Sequence, residues 1–360
     1  MIMEKQLIER ERKNSIINSK QLEVFIHGGE VANNLRKKCN EIVAKDPILN
    51  EGLKRYSMSI EEQRELSTRK CFRLAELLHG QPEDFQLALK SALAGDDRST
   101  GIRFFVQYTL WCGTIENQGS DEQRKLWLDD ARARQYKLIG CFCMTELGHS
   151  SHLRGAETTA TFDVEKDCFV LNSPTITSSK WWIGQAGQIA THGIVFAQLI
   201  TQNKNCGLQL FIVPLRDAKT GCALPGVTIG DIGEKYGRNG NDNGFIRFEN
   251  VCVPRANMLA RWSSVSRDGS FQAPPSPALV YGSTVAERVA SVVNASDFVS
   301  RALTIAVRFG ALRRQGTGNP QLLDYSTHQR LLMPILARCY ALIAVSRRCL
   351  AKYSGMVAAL

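Results

Sequence analysis

Apolar and polar positions along the chain change their rhythm twice. Residues 1–138 carry charged, Leu-rich stretches with little Pro, notably 4–34 and 60–78, in the spacing of amphipathic helices. Gly28-Gly29-Glu30 reads as a break between two of them. From about 139 to 275 the pattern shortens to runs rich in Val, Ile and Phe, bounded by Gly, Asn and Pro. Residues 158–163 and 168–172 predict a hairpin closed by 164–167, with further strands at 194–200, 208–215 and 245–253. Ser- and Pro-rich 263–277 reads as a connector. Beyond about Gly282, Val285, Val289, Val292, Ser296, Val299, Leu303, Ala306 and Phe309 step by three or four, predicting one helix over about 283–314 that Gly316–Pro320 terminates. Two shorter helices are expected at 322–337 and 339–353, followed by an apolar tail at 356–360 that reads as helix surface without a partner. The expectation is an α+β chain: an N-terminal helical domain over 1–138, a middle β domain over 139–275, and the start of a C-terminal helical bundle over 276–360.

Composition narrows the classes of function. The 360 residues are long enough for two or three cored domains, and their net charge of +10 is uneven. Residues 301–360 hold nine Lys or Arg against one acid, Asp324. Such a surface suits a phosphorylated ligand, a solvated face or an intersubunit contact. The arginines are spread along helical segments rather than interleaved with aromatics, so no nucleic-acid partner is expected. No run of 18 apolar residues occurs, and no membrane span is expected. The charged N-terminus lacks a signal peptide's apolar stretch. Eleven cysteines without a secretion signal predict reduced thiols. Cys141 and Cys143 would share one strand face as small core residues; there is no Cys-x-x-Cys pair, and no metal is expected.

Neither a G-x-G-x-x-G turn nor a Walker A loop is present, which argues against a Rossmann or P-loop site. Two segments stand out instead. Met144-Thr145-Glu146-Leu147-Gly148-His149-Ser150-Ser151 gathers hydroxyls, a carboxylate and an imidazole at the entry to the β region. Ser179-Lys180-Trp181-Trp182-Ile183-Gly184 sets adjacent indoles beside a Gly-flexible backbone, a combination suited to a flat aromatic ligand. Taken singly, a capped turn and a pair of core or interface aromatics are the plainer readings.

Together, and in this order, the segments resemble the acyl-CoA oxidase family. Thr145–Gly155 is similar to that family's Thr-Glu-Leu-Gly-His-Gly-Ser-Asn segment, and Lys180–Gly184 to its Lys-Trp-Trp-Pro-Gly segment. Gly230-Asp231-Ile232-Gly233, Asp242-Asn243-Gly244, Val253-Pro254-Arg255, Arg313-Arg314-Gln315 and Leu323-Asp324-Tyr325 fit as well, so the resemblance covers nearly the whole chain. It implies helical, β and helical domains with FAD between the last two. It implies oxidation of fatty acyl-CoA to trans-2-enoyl-CoA with O2 reduced to hydrogen peroxide, a homodimer, and a peroxisomal location, although residues 357–360 are not a Ser-Lys-Leu address. Thr145 and Gly184, with Trp181 and Trp182, would bind the flavin. Arg313 would reach the FAD pyrophosphate of a neighbouring subunit.

The chain also departs from that family. Ser150-Ser151-His152 stands where Gly-Ser-Asn is usual, and Ile183-Gly184-Gln185-Ala186-Gly187 where Pro-Gly-Gly-Leu-Gly is usual. Family members run well past residue 360, and their catalytic glutamate lies in a late Phe-Glu-Gly-Glu-Asn segment, so the expectation is a C-terminally shortened chain. No glutamate follows Glu287. Related isovaleryl- and long-chain acyl-CoA dehydrogenases place their base one residue before an arginine and 26 before the pyrophosphate arginine; Glu287-Arg288 has that spacing to Arg313. Glu287 is therefore the candidate base and Arg288 a candidate CoA contact, against the plainer reading of a solvated glutamate favourable to the helix dipole. An acyl-CoA dehydrogenase and a non-catalytic acyl-CoA or FAD binder remain the alternatives.

Overall fold

The computed structural model describes residues 2–128, 138–150, 152–276, 279–280 and 284–358. Ser151, Gly282 and the end of the apolar tail, which the sequence singles out, lie outside them. Among the described residues before 138, the α-helices are α1 (Ile2–Asn14), α2 (Ser19–Ile26), α3 (Glu30–Lys45), α4 (Ile60–Leu78), α5 (Glu83–Asp96), α6 (Arg98–Phe105), α7 (Gly113–Gln118) and α8 (Asp121–Trp127), with a π-helical stretch, Val106–Cys112, between α6 and α7. The break at Gly28-Gly29 is present, both residues at positive φ between α2 and α3. The chain divides into two compact units, one of Met1–Lys38 with Val285–Leu360, the other of Cys39–Thr284.

In the larger unit, α4 starts on a reciprocal cap: the Ser59 hydroxyl accepts from Glu62 N–H, and the Glu62 carboxylate accepts from Ser59 N–H. Its buried face, Arg64, Ser67, Lys70, Cys71, Leu74, Ala75 and Leu78, follows the helical period but includes two cations. Both are paired: Arg64 donates twice to Asp231, at 2.6 and 3.1 Å, and Lys70 donates to Asp97 at 3.0 Å. On α6, Arg103 meets Asp242, both fully buried. The Arg64 and Arg103 pairs fasten helices to the strand Val227–Asp231 and to the residue before the strand Asn243–Phe248, and Lys70–Asp97 joins α4 to the start of α6. An unpaired charge at any of these places would carry a large desolvation cost.

The strands are β1 (Gly140–Cys143), β2 (Thr159–Asp163), β3 (Cys168–Asn172), β4 (Lys180–Gly184), β5 (His192–Thr201), β6 (Lys204–Pro214), β7 (Val227–Asp231), β8 (Asn243–Phe248), β9 (Val251–Pro254), β10 (Ser264–Val265) and β11 (Phe271–Gln272). A six-stranded sheet runs β1-β5-β2-β3-β9 with β6 also on β5, and a three-stranded sheet runs β4-β8-β7. The expected hairpin is β2–β3, in antiparallel register from Thr159↔Asn172 to Asp163↔Cys168. Phe162, Phe169, Phe211, Phe248, Ile246 and Val253 are among the side chains that fill the core of these strands.

Several expectations need correction. The single strand expected at 245–253 is two, β8 and β9, in different sheets, because Asn250 turns the chain at φ 50°. The connector at 263–277 contains a small antiparallel pair, β10–β11. Cys168 and Cys252 are joined as a disulfide between neighbouring strands β3 and β9, with Cα atoms 6.0 Å apart, so the reduced-thiol reading fails for these two. Cys141 and Cys143 do share one face of β1, both buried.

The smaller unit is built on α9 (Val285–Leu312) and α10 (Ser326–Ala358), with Leu303, Leu332 and Cys339 buried along their seam. α10 replaces the two helices expected at 322–337 and 339–353. It continues through Arg338 and carries Pro334 in its interior, where the ring removes one backbone donor and crowds the preceding turn. Over Ser326–Met356 it is long and apolar enough to cross a membrane by length and composition, although no continuous apolar run exists. Within this unit Arg347 donates to Phe25 O at 2.7 Å and fastens α2 to α10.

Candidate functional site

β1 delivers the chain into a tight loop at 144–150. Ser150 N–H donates to Glu146 O at 2.7 Å, and Ser150 closes the turn at φ 50°. Gly148 lies so close to the neighbouring segment that a Cβ would stand 2.5 Å from Thr177 Cβ. The loop lies beside β4. Trp181 N–H donates to Thr145 O at 3.0 Å, and the Thr145 hydroxyl donates to Trp181 O at 2.6 Å. This reciprocal clamp brings the two sequence segments together. It also consumes the Thr145 proton: a carbonyl can only accept, so the hydroxyl presents lone pairs rather than a donor to a ligand.

β4 does not alternate as a flat strand would. Its register on β8 shifts between Lys180 and Ile183, both of these side chains are buried, and the extra residue is absorbed at Trp182, φ 66°. Trp181 stacks on Phe245, with ring centroids 5.8 Å apart, while Trp182 is 57% exposed. Asn243 Nδ2 donates to Trp182 O at 3.0 Å and holds the left-handed backbone. Gly184 follows, where a Cβ would come within 3.1 Å of Val106 and 3.2 Å of Asn241. The next residue, Gln185, has φ 68° and is fully buried, with its amide donating to Gly140 O at 3.1 Å. Both places where a side chain replaces the resembled family's usual glycine, Ser150 and Gln185, therefore keep a glycine-like backbone.

Beneath the clamp, Lys180 donates to Glu146 at 2.9 Å and to Phe196 O at 2.6 Å, with neither charged side chain exposed. Burial pushes the Glu146 carboxyl up, but Lys180, the Thr158 hydroxyl and Glu157 N–H together hold it below the usual range. Burial also lowers the Lys180 ammonium, against the pull of Glu146. At the loop's outer side the Thr177 hydroxyl, His149 and the Thr175 hydroxyl hold the Glu157 carboxyl down to about 2. Glu146, His149 and Glu157 offer ligand atoms within 4.8 Å of one another, but Glu146 is already committed to Lys180. Sequence reading gave no role to Glu146, Lys180 or Asn243; the signal available was a lysine and an acid inside the two conspicuous segments.

Glu287, Arg288 and Arg313 belong to the other unit. Glu287 falls in the first turn of α9, half-buried, and desolvation raises its carboxyl against the opposing effect of Arg288, which is exposed. Arg313 is exposed one residue beyond the end of α9, 26 residues after Glu287, so the helix holds the two at opposite ends.

Helices before and after a β region with this strand order define the acyl-CoA dehydrogenase-like class. Residues 18–137 match the acyl-coenzyme A oxidase N-terminal domain, 141–251 the acyl-CoA dehydrogenase middle domain, and 281–360 the acyl-CoA oxidase C-α1 domain. The chain is 39% identical over 339 residues to acyl-coenzyme A oxidase 2 of Yarrowia lipolytica, covering 92% of this chain and 48% of that one. It is 36% identical to peroxisomal acyl-coenzyme A oxidase 1 of Rattus norvegicus, covering 94% and 52%. The crystal structure of Yarrowia lipolytica acyl-CoA oxidase 1 superposes with a TM-score of 0.92 at 35% identity, over 98% of this chain and 52% of that one. Caenorhabditis elegans acyl-CoA oxidase-2, bound with FAD, ascaroside-CoA and ATP, gives 0.88 at 36% identity, over 97% and 53%. The chain belongs to the acyl-CoA oxidase family, and it spans about half the length of the curated relatives it matches.

Proposed function

We propose that the chain is the flavin-binding portion of an FAD-dependent oxidase that converts fatty acyl-CoA to trans-2-enoyl-CoA and reduces O2 to hydrogen peroxide. The observation that carries this reading is the clamp joining Thr145 to Trp181 beside the exposed Trp182 and Gly184. The donor set fits a flat heteroaromatic edge: hydroxyl lone pairs at Thr145 accept a ring N–H, and backbone N–H groups of the irregular stretch of β4 donate to ring carbonyls. FAD, when bound, supplies the hydride acceptor. Trp181, backed by Phe245, and Trp182 give the site its apolar walls.

Glu287 is the residue proposed to remove the proton from the acyl α-carbon. Its raised carboxyl supports this, since a base is most effective when its pKa lies near the working pH. Arg288 is proposed to meet the CoA phosphates. Arg313, roughly 39 Å along the helix from Glu287 at ~1.5 Å per residue, would serve a second flavin site across a two-fold axis, in a homodimer. The domain limits near 138 and 276 belong to the same reading, as does a peroxisomal location, supported by the relatives named peroxisomal in rat and human. The middle-domain match is to dehydrogenases, so the electron acceptor is the point to test.

The experiment is reconstitution with FAD followed by acyl-CoA in air. Protein that turns yellow, loses flavin on Thr145→Ala and releases peroxide fits the oxidase. Flavin that bleaches without peroxide favours a dehydrogenase, and bleaching that survives Glu287→Gln removes Glu287 as base. Protein that cannot be loaded with FAD ends the reading.

A further inference from the structure

We propose that Glu146 and Lys180 are positioning residues: their buried ion pair sets the register of Thr145 against Trp181, and with it the edge the flavin meets. This rests on the flavin reading above and assigns work to two side chains that would not themselves touch the cofactor.

The geometry begins with chain adjacency. Thr145 precedes Glu146, and Trp181 follows Lys180, so each partner of the ion pair is one peptide away from a partner of the clamp. The Lys180 ammonium also donates to Phe196 O, which ties the start of β4 to the middle of β5. The Glu146 carboxylate accepts from Lys180 Nζ, Glu157 N, Thr158 N and Thr158 Oγ1, which pins the loop to the start of β2 as well. Both side chains are thus held from several directions.

What they hold is a segment with a reason to slip. β4 carries one residue more than its partner needs, and the surplus is stored at Trp182 in a conformation a large side chain rarely adopts. A shift of one residue would relieve Trp182 and move Trp181 O away from Thr145 Oγ1. Lys180 opposes that shift, because a buried ammonium moved one position along would lose both acceptors. Because the peptide is planar and trans, fixing Trp181 C=O also directs Trp182 N–H to the opposite side. The pair therefore determines which way a backbone donor of the irregular stretch faces.

Energetics separate this role from simple stabilisation. A buried ion pair contributes little net stability compared with a well-packed apolar pair of the same volume, but it is directional. The test variant is the double replacement Glu146→Leu/Lys180→Met, with Glu146→Gln as a milder single change that keeps the side chain's shape. Two readouts are taken: backbone amide exchange over 145–150 and 181–184 in flavin-free protein, and FAD affinity well below the melting temperature. The positioning role requires faster exchange confined to those segments and FAD affinity weaker by at least about tenfold, the scale of a small misplacement, while the double variant melts close to the parent. A double variant that restores melting temperature, exchange and affinity alike would show that the pair merely fills space and would overturn the proposal. If the double variant does not fold, Glu146→Gln decides: unchanged exchange at 181–184 overturns it. If the parent binds no FAD, the flavin reading fails, and the exchange measurement still judges the ion pair by itself.

Discussion

In the unit formed by residues 39–284, Arg103, Lys180 and Lys70 are buried against carboxylates, and the side chains between the strands are almost fully excluded from water. In the unit formed by 1–38 and 285–360, an ion pair such as Arg36–Glu23 lies near the surface, and Ile305, Phe309, Leu331 and Val345 are exposed on the long helices. The first arrangement specifies one geometry, since moving any member strands a charge or opens a void. The second leaves helix faces whose position is governed by few contacts. The candidate site residues divide along the same line. Thr145, Trp181 and Gly184 are held by non-local hydrogen bonds and tight packing, whereas Glu287 and Arg288 are ordered chiefly by α9, and Arg313 lies just past its end, where its carbonyl accepts from Leu322 N–H.

The strongest test of this contrast is removal of one cation from each unit. Arg103→Ala removes the cation from the buried Asp242 carboxylate, which also accepts from Gln188 N–H, and is expected to cost ~3–5 kcal/mol in urea unfolding. Arg36→Ala should cost no more than ~1 kcal/mol by the same measurement. Equal losses would erase the distinction. Next in size is a pair of leucines. Leu199→Ala, in the dense β core, should fall at the upper end of the ~2–5 kcal/mol range for such cavities, and Leu303→Ala, on the α9–α10 seam, at the lower end, where helices can close on the gap.

Ser150→Gly sharpens the comparison from the opposite direction. Ser150 holds a left-handed backbone at φ 50°, so glycine should stabilise by ~1 kcal/mol, read as a small rise in melting temperature. Gln185→Gly should not show this gain, because it discards the hydrogen bond to Gly140 O and a buried side chain. The smallest effect is on acid stability. The Glu157 carboxyl is held down to about 2 in the folded chain against an ordinary value of 4.5, so its contribution is present above 4.5 and lost as pH falls toward about 2. Thr177→Val, which removes the hydroxyl that lowers this carboxyl most, should flatten the stability profile in that window by lowering stability near neutrality, with parent and variant converging as the pH falls to about 2.

The sequence alone carries the three-part rhythm, the β2–β3 hairpin, the long helix α9 and the two segments at 144–151 and 179–184, because periodicity and turn chemistry are local properties. It also carries the marks of family membership, since the order of short motifs survives in the chain itself. What it does not carry is the fate of residues whose partners lie far along the chain. The split of 245–253 between two sheets, the joining of Cys168 to Cys252 across 84 residues, and the fusion of two expected helices into α10 each depend on what packs alongside. The same holds at the candidate site. Thr145 and Trp181 are individually conspicuous, but the direction of their hydrogen bonds and the buried pair beneath them exist only once β1, β4 and β5 lie side by side. A hydrogen bond or ion pair between distant residues has no signature in local pattern. Tertiary packing therefore decided which oxygen Thr145 would bond, and on which side the lone pairs it has left would lie.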